Sequence, residues 1–384
     1  MGAGGAGHAS SMLAPLFVAV HPLSELAVPQ KVVGREITAA GFDQLFERLD
    51  MEHGPCFSRV MDKPTDFSYQ HRMTCGVELA PMQGFTDHFF RKAYLSCFTG
   101  IDVTYSPFIV LDKGRLRNRD LRELEAGRDE PDFTPQIAAR SPEEASKLAQ
   151  QLRLRGLADR RINLNLGCPY PMLTKKGRGA GALPHPERIE AILTALFAGP
   201  FREISIKTRL GMSHPEEFEA LIPVFNRFPL SKVIIHPRVA SQKYGGSPDW
   251  RAFGEYARQL SAPTVANGDI ETRQDVDALI SRYPFISAVM LGRGVLMDPF
   301  LPQDIRGRAR PCDSDARLRE FHNQLFGALQ VRLSTRHLLD KLASFWSYFC
   351  LAFPDGKKAY KRIKKCRSRE RYLDIVTDIF DNNT

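Results

Sequence analysis

From residue 75 to about residue 300, short apolar runs alternate with longer polar stretches in which apolar positions recur at helical spacing. Runs of the first kind suit buried strands, and stretches of the second kind suit the helices that cover them. The runs begin near residues 76, 103, 134, 162, 203, 232, 263 and 287, giving steps of 27, 31, 28, 41, 29, 31 and 24 residues. Each step has room for one strand and one helix. Eight such units in series predict an α/β fold, a closed (β/α)8 TIM barrel of parallel strands over residues 73–306. The long fourth step contains a Lys/Gly-rich loop, as expected where a strand-to-helix loop carries function.

The pattern changes on both sides of this block. Residues 1–72 read as an N-terminal extension: residues 1–11 are rich in Gly, Ala and Ser, which predicts disorder. Residues 37–49 set Phe42, Leu45, Phe46 and Leu49 on one face of a helix. Met73 stands just before the first strand and is an alternative start of translation. Residues 307–384 lack strand signals. There, residues 318–333 and 337–353 predict aromatic-rich helices, and in the following run, 357–371, nine of fifteen residues are Lys or Arg. This part reads as an all-helical domain with one electropositive face.

Chemistry gathers at the predicted strand ends. Asn163-Leu164-Asn165-Leu166-Gly167-Cys168-Pro169 closes the fourth strand with asparagines where a structural strand would hold aliphatics. It sets the Cys168 thiol at the C-terminal mouth, where barrel enzymes collect their catalytic groups. Lys176-Gly177-Arg178-Gly179-Ala180-Gly181 follows, and its glycines allow a backbone to approach a ligand closely. A thiol beside a basic, glycine-rich loop points to an anionic ligand. After the first strand, the bend Pro81-Met82-Gln83-Gly84 lets Met82 approach a flat ring, while Gln136 ends the third strand with an amide that can donate and accept. Lys207 lies within the fifth strand and is costly to bury without an anionic or electron-rich partner. His236-Pro237-Arg238 ends the sixth strand. Asn267-Gly268-Asp269 and Gly292-Arg293-Gly294 follow strands seven and eight, where such barrels commonly bind phosphate. Arg293 adds a cationic fork suited to that group.

Composition adds two constraints. A net charge of +9 favours a polyanionic partner, and 43% hydrophobic residues are ample for a soluble core. Seven cysteines, at 56, 75, 97, 168, 312, 350 and 366, show no CxxC spacing, so neither a zinc site nor a disulfide framework is expected. That usage, with no secretory signal or membrane span, predicts a cytoplasmic protein.

In their order, APMQGFTD, NLNLGCP, KKGRGAG, IKTRLG, HPR, ANGDI and GRG resemble the dihydrouridine synthase family over residues 76–300. NLNLGCP with the following GxG loop is the specific part; ANGDI and GRG are shared more loosely with other flavin barrels. The resemblance implies FMN at the barrel mouth, NADPH as electron donor and reduction of uridine to 5,6-dihydrouridine in tRNA by a monomer without metal. It assigns Pro81, Met82, Gln136, Lys207, His236, Asn267, Gly268, Asp269, Gly292 and Arg293 to the flavin. Cys168 is implied as the acid that protonates C5 of the uracil, with Asn165 orienting the base, Arg238 at the flavin–substrate border and Lys176 on the substrate. The helical part is expected to hold tRNA phosphates through Lys357, Lys358, Lys361, Arg362, Lys364 and Lys365.

Three stretches depart from the family's pattern: the second strand reads Thr104-Tyr105-Ser106-Pro107-Phe108 where relatives often carry a Thr-Glu pair, Pro171 and Met172 replace lysines after the CP pair, and Pro237 replaces a glycine. Two other readings stay open. One is an FMN barrel oxidoreductase acting on a small dihydropyrimidine or enone; the other is an RNA-binding protein with a vestigial flavin site.

Overall fold

The computed structural model describes residues 75–130, 132–156 and 161–381, all within one compact unit. The expectations for residues 1–72 and for a start at Met73 lie outside the described residues. Eight strands form the barrel: β1 (Gly76–Leu79), β2 (Thr104–Tyr105), β3 in two pieces (Phe133–Thr134 and Gln136–Ile137), β4 (Ile162–Leu166), β5 (Ile204–Gly211), β6 (Lys232–Val239), β7 (Thr264–Asn267) and β8 (Ala288–Leu291). Every strand begins within one residue of its predicted start.

Seven of the eight make one parallel sheet, running β1, β8, β7, β6, β5, β4 and the second piece of β3. The ring closes through β2. It pairs in parallel with the first piece of β3 (Thr104 opposite Phe133) and leans on β1 through a bridge from Glu78 to Val103. Pro135 explains why β3 is split, because proline brings no N–H to the ladder. On the far side of the break the Gln136 N–H donates to Ser106 Oγ at 2.9 Å, a side chain standing in for a strand partner.

The outer layer follows the strands in turn: α1 (His88–Cys97), α2 (Asn118–Ala126), α3 (Pro142–Arg153), α4 (Pro186–Phe197), α5 (Ile222–Asn226), α6 (Trp250–Ala257), α7 (Arg273–Arg282) and α8 (Arg293–Met297). Helix α3 shows how the sequence dictates them. Ser141 caps it by accepting from the Glu144 N–H, Pro142 starts its first turn, and Ala145, Leu148, Ala149 and Leu152 bury one face. A small apolar cluster of Ala80, Val103, Tyr105, Ile234, Val265, Ala288 and Met290 fills the barrel interior, so the barrel is a packed core.

After a short helix at Leu301–Ile305, the helical part follows: α9 (Ser314–Gln330), α10 (Thr335–Phe349), α11 (Gly356–Ile363) and α12 (Arg369–Asp381). The predicted aromatic content explains its attachment. Phe321 of α9 stands edge-on to Phe90 and Phe98 around α1, at 5.5 and 5.3 Å, and to Phe345 of α10 at 5.8 Å. Inside the helical part the buried Tyr372 hydroxyl accepts from Trp346 Nε1–H at 2.8 Å and bonds His322 Nε2 at 2.7 Å. Burial pushes the His322 imidazole down to about 4, so it is neutral and its Nε2 accepts the hydrogen bond of the tyrosine hydroxyl.

Tyr372→Phe strips both partners at once and leaves a buried indole N–H and an imidazole nitrogen without bonds. We expect a loss of about 2–6 kcal/mol of stability, from ~1–3 kcal/mol per stranded group. In urea unfolding, the midpoint should fall at unchanged slope; a midpoint equal to wild type would show that the triad contributes nothing.

Candidate active site

The loop after β1 is stiff before any ligand arrives. Thr86 Oγ1 donates to Ala80 O at 2.9 Å and accepts from the Met82 N–H at 2.8 Å, closing the bend that presents Pro81 and Met82. Asp87 then caps α1 by accepting from the Phe90 N–H. Pro81 and Met82 line two adjoining cavities at the C-terminal mouth of the barrel, which share Lys207, His236, Tyr244 and Arg293 as well.

The inner cavity is lined by Asn267, Gly268, Asp269, Gly292 and Arg293 as expected from the sequence. Lys207 Nζ donates to Asn267 Oδ1 at 2.7 Å, and Asn267 is held in turn by its own amide on Met290 O. Among the described residues no carboxylate pairs with this ammonium. Burial, then the charge of Arg209, brings Lys207 down to about 7. His236 is buried against Gly268, whose φ is +135° and where an added Cβ would stand 2.9 Å from the imidazole. Only glycine fits there. Burial and the charges of Arg209, Lys207, Arg238 and Arg293 hold the ring well below the usual histidine range. Arg238 Nη1 lies 3.1 Å from Nε2, so the neutral ring carries its proton on Nδ1.

Arg238 itself is buried behind His236 and lines neither cavity. It grips Asp269 at 2.9 and 2.6 Å, and Arg293 pairs with the same carboxylate. Burial works against the charge of Asp269, but these bonds hold its carboxyl below the usual range. Asp269 thus orients Arg293 toward the cavity while the trio keeps one net positive charge. The donor set fits FMN: an ammonium without a counter-ion, side-chain-free backbone at Gly268 and Gly292, and a guanidinium for the phosphate.

The outer cavity holds Cys168 with Asn165, Tyr170 and Arg209. Asn165 Oδ1 accepts from the N–H groups of Gly167 and Cys168 at 3.1 and 3.0 Å, and its Nδ2 donates to Gln136 Oε1 at 2.7 Å. Gln136 in turn donates to Asn163, which reaches Ser205. The expected flavin contact of Gln136 has no counterpart in the cavity lining: the side chain is spent inside this amide chain, which fixes the thiol's turn. The half-buried thiol rests near Phe108, Val110, Ala138 and Leu173. Burial pushes it up, against a backbone hydrogen bond from Tyr170 and the charges of Arg209 and Lys207, so it stays protonated at neutral pH.

The glycines of the following loop approach protein and not a ligand. A Cβ on Gly179, at φ +57°, would sit 2.8 Å from Cys168 O, and one on Gly181 would sit 2.5 Å from Thr174 O. Lys176 is exposed and lines neither cavity, and the same holds for Lys357, Lys358, Lys361, Arg362, Lys364 and Lys365. Of these, Lys358 pairs with Asp355 and Arg362 with Asp378. The lining residues not expected from the sequence include Phe85, Phe108, Tyr170, Tyr244, Leu296, Tyr348 and Arg209. Arg209 had a local signal, its place two residues beyond Lys207 on the same strand face. Tyr348 had none, since it arrives from α10.

A family model described as "Dihydrouridine synthase (Dus)" matches residues 78–370. A "tRNA-dihydrouridine(16) synthase" from Ralstonia nicotianae is 26% identical over 314 residues, spanning 78% of this chain and 94% of the relative. Its namesake from Cupriavidus necator is 27% identical over 315 residues, 77% and 95% of the two chains. Among solved structures, a morphinone reductase is similar at 12% identity and a TM-score of 0.44, over 61% of this chain and 86% of its own.

An anionic ligand should raise the Lys207 ammonium from its value of about 7, so that binding takes up a proton above that pH. FMN affinity, read by quenching of flavin fluorescence, should be flat below pH 7 and weaken about tenfold per pH unit above it, one proton's linkage. Lys207→Met should bind less tightly and lose the slope. The same slope in that variant would assign the proton elsewhere.

Proposed function

We propose how this cleft works from the premise that the chain belongs to the dihydrouridine synthase family. As a member, it is an oxidoreductase that reduces uridine to 5,6-dihydrouridine in tRNA and depends on a flavin. The observation that carries the assignment of roles is the pair of joined cavities: an anion-accepting inner one and, sharing its Lys207–His236 wall, an outer one with a protonated thiol.

In this reading Lys207, His236, Asn267, Gly268, Gly292 and Arg293 hold FMN, with Asp269 aiming Arg293 and with Pro81 and Met82 against the ring. Bound there, the flavin would supply the hydride that C6 of the uracil takes up. The electron pair of the 5,6 double bond then moves toward C5 and O4. Cys168 gives its S–H proton to C5, completing the saturated bond, and the thiolate recovers a proton from water. Arg209 and Lys207 stabilise the negative charge while it lasts. Gln136 acts through Asn165, and Arg238 acts through Asp269 and His236. We take NADPH as the electron donor; the cationic lining suits a phosphorylated nucleotide.

The substrate grip falls to the exposed lysines of α11 and the turn after it, with Lys176 nearer the barrel. Work in the cytoplasm is supported by the free thiols of Cys75, Cys97, Cys168, Cys350 and Cys366. Among the described residues no helix is long and apolar enough to cross a membrane. No cluster of metal-ligating side chains occurs among them either. A small-molecule reductase would leave the basic helix without a use.

Cys168→Ala should lower dihydrouridine formation by about 10²–10⁴-fold, the usual worth of a general acid, while flavin content and tRNA affinity persist. The test is dihydrouridine in tRNA from a strain lacking this protein, complemented with either form; equal rescue by both would demote the thiol. Since the raised thiol must keep its proton, wild-type turnover at saturating flavin should fall only above the ordinary cysteine range.

Replacing Lys357, Lys361, Lys364 and Lys365 by alanine should flatten the salt dependence of tRNA affinity by ~0.7–0.9 in log–log slope for each phosphate no longer neutralised. An unchanged slope would leave this face merely solvated.

A further inference from the structure

Helix α10 forms one wall of the outer cavity. Lys341, Phe345 and Tyr348 share one face of it, spaced i, i+4 and i+7. Lys341 Nζ donates to Gly84 O and pairs with Asp87 Oδ2, both at 2.6 Å, bolting the helix to the loop that carries Pro81 and Met82. Phe345 packs against Phe90 at 6.4 Å. Tyr348 stands edge-on to Phe85, with ring centres 5.4 Å apart at 78°. Its ring therefore has a fixed place, and it lines the same cavity as Cys168.

That cavity is walled by five aromatic rings, Phe85, Phe108, Tyr170, Tyr244 and Tyr348, over the cationic floor of Lys207 and Arg209. Such a lining fits a flat, hydrogen-bonding heterocycle carried on a polyanion. Unlike the other four rings, which come from barrel loops, Tyr348 comes from the helical part. Its contact with Phe85 is not the only tie between the loop and α10, because Lys341 bonds Gly84 and Asp87 there.

We propose that Tyr348 is a substrate-positioning residue that stacks on a tRNA base, either the target uracil or its neighbour, once that base has left the RNA stack. A base turned out of the stack loses its own neighbours, and an aromatic ring returns part of that contact without regard to sequence. The helical part thereby contributes to base capture and not only to phosphate contact. The proposal rests on the cleft being the site of uridine reduction.

The test uses the flavin-loaded full chain with Tyr348→Ala and Tyr348→Phe, measuring equilibrium binding of an unmodified tRNA transcript, dihydrouridine formation and flavin content. The alanine variant should lose about 5- to 150-fold in kcat/KM with weaker transcript binding, the range expected for one base on one ring. Flavin content should not change, and the phenylalanine variant should stay close to wild type. Wild-type behaviour of the alanine variant, loss of flavin from it, or equal impairment of both variants would overturn the proposal. Binding is read without turnover. Absence of dihydrouridine with the wild-type protein would therefore count against the functional reading, while the stacking would stand or fall on affinity. A transcript abasic at the target position separates the two bases: the alanine effect vanishes there if the target is stacked and persists if its neighbour is.

Discussion

Positive charge set inside a barrel mouth in excess of the carboxylate that Asp269 supplies is the constraint on which this site depends. Lys207 has only the Asn267 amide. Arg209 spends its guanidinium on three carbonyls, of Gly167, Val239 and Lys243. Burying such charges is costly unless something negative or electron-rich joins them. The neighbourhood shows the strain in one direction throughout: burial and mutual repulsion bring Lys207 to about 7 and Arg209 to about 10, and keep His236 neutral. A flavin phosphate and an electron-rich ring would relieve this. An uncharged site of the same shape would have no such preference for a reduced, anionic ligand.

The same charges pull against the thiol. Arg209 and Lys207 favour a thiolate, and burial among Phe108, Val110, Ala138 and Leu173 favours the thiol. Burial wins. A protonated thiol is thus kept beside two cations that would hold the thiolate if, as proposed, it gives up its proton. The amide chain from Ser205 through Asn163 and Gln136 to Asn165 matters for the same reason: it makes the position of the Cys168 turn a property of the barrel wall. Strain is admitted where it serves this arrangement, as at Asp269, a non-glycine at φ +43° that turns its carboxylate between Arg238 and Arg293.

The barrel was legible because period and step length are local properties of the chain, and all eight strand starts follow from them. The inner cavity was legible too, since its residues stand at strand ends, where topology alone brings them together. What each side chain does there was less so. Gln136 has the chemistry to meet a flavin ring, but Asn163 and Asn165, inward-facing on the next strand, claim both ends of its amide. Arg238 has the charge to meet a substrate and is claimed by Asp269. The loop glycines looked like ligand approach, yet the close neighbours of Gly179 and Gly181 are the carbonyls of Cys168 and Thr174. Residue type reveals capacity; the partner that uses it comes from the packing.

Tyr348 marks the harder limit. No local pattern ties it to Cys168, and the link exists only because Phe321 and Phe345 seat the helical part on Phe90 and Phe98 of the barrel. An apolar, aromatic seam of this kind resists the relative motion that polar interfaces between domains allow. A helix that merely held phosphates would tolerate such motion, because charge acts over several ångströms. A ring that must lie flat on a base would not. On the proposed reading, the rigid seam, the Lys341 bolt and the placement of Tyr348 are one requirement: a helical part proposed to grip RNA would also have to be held in register with the thiol.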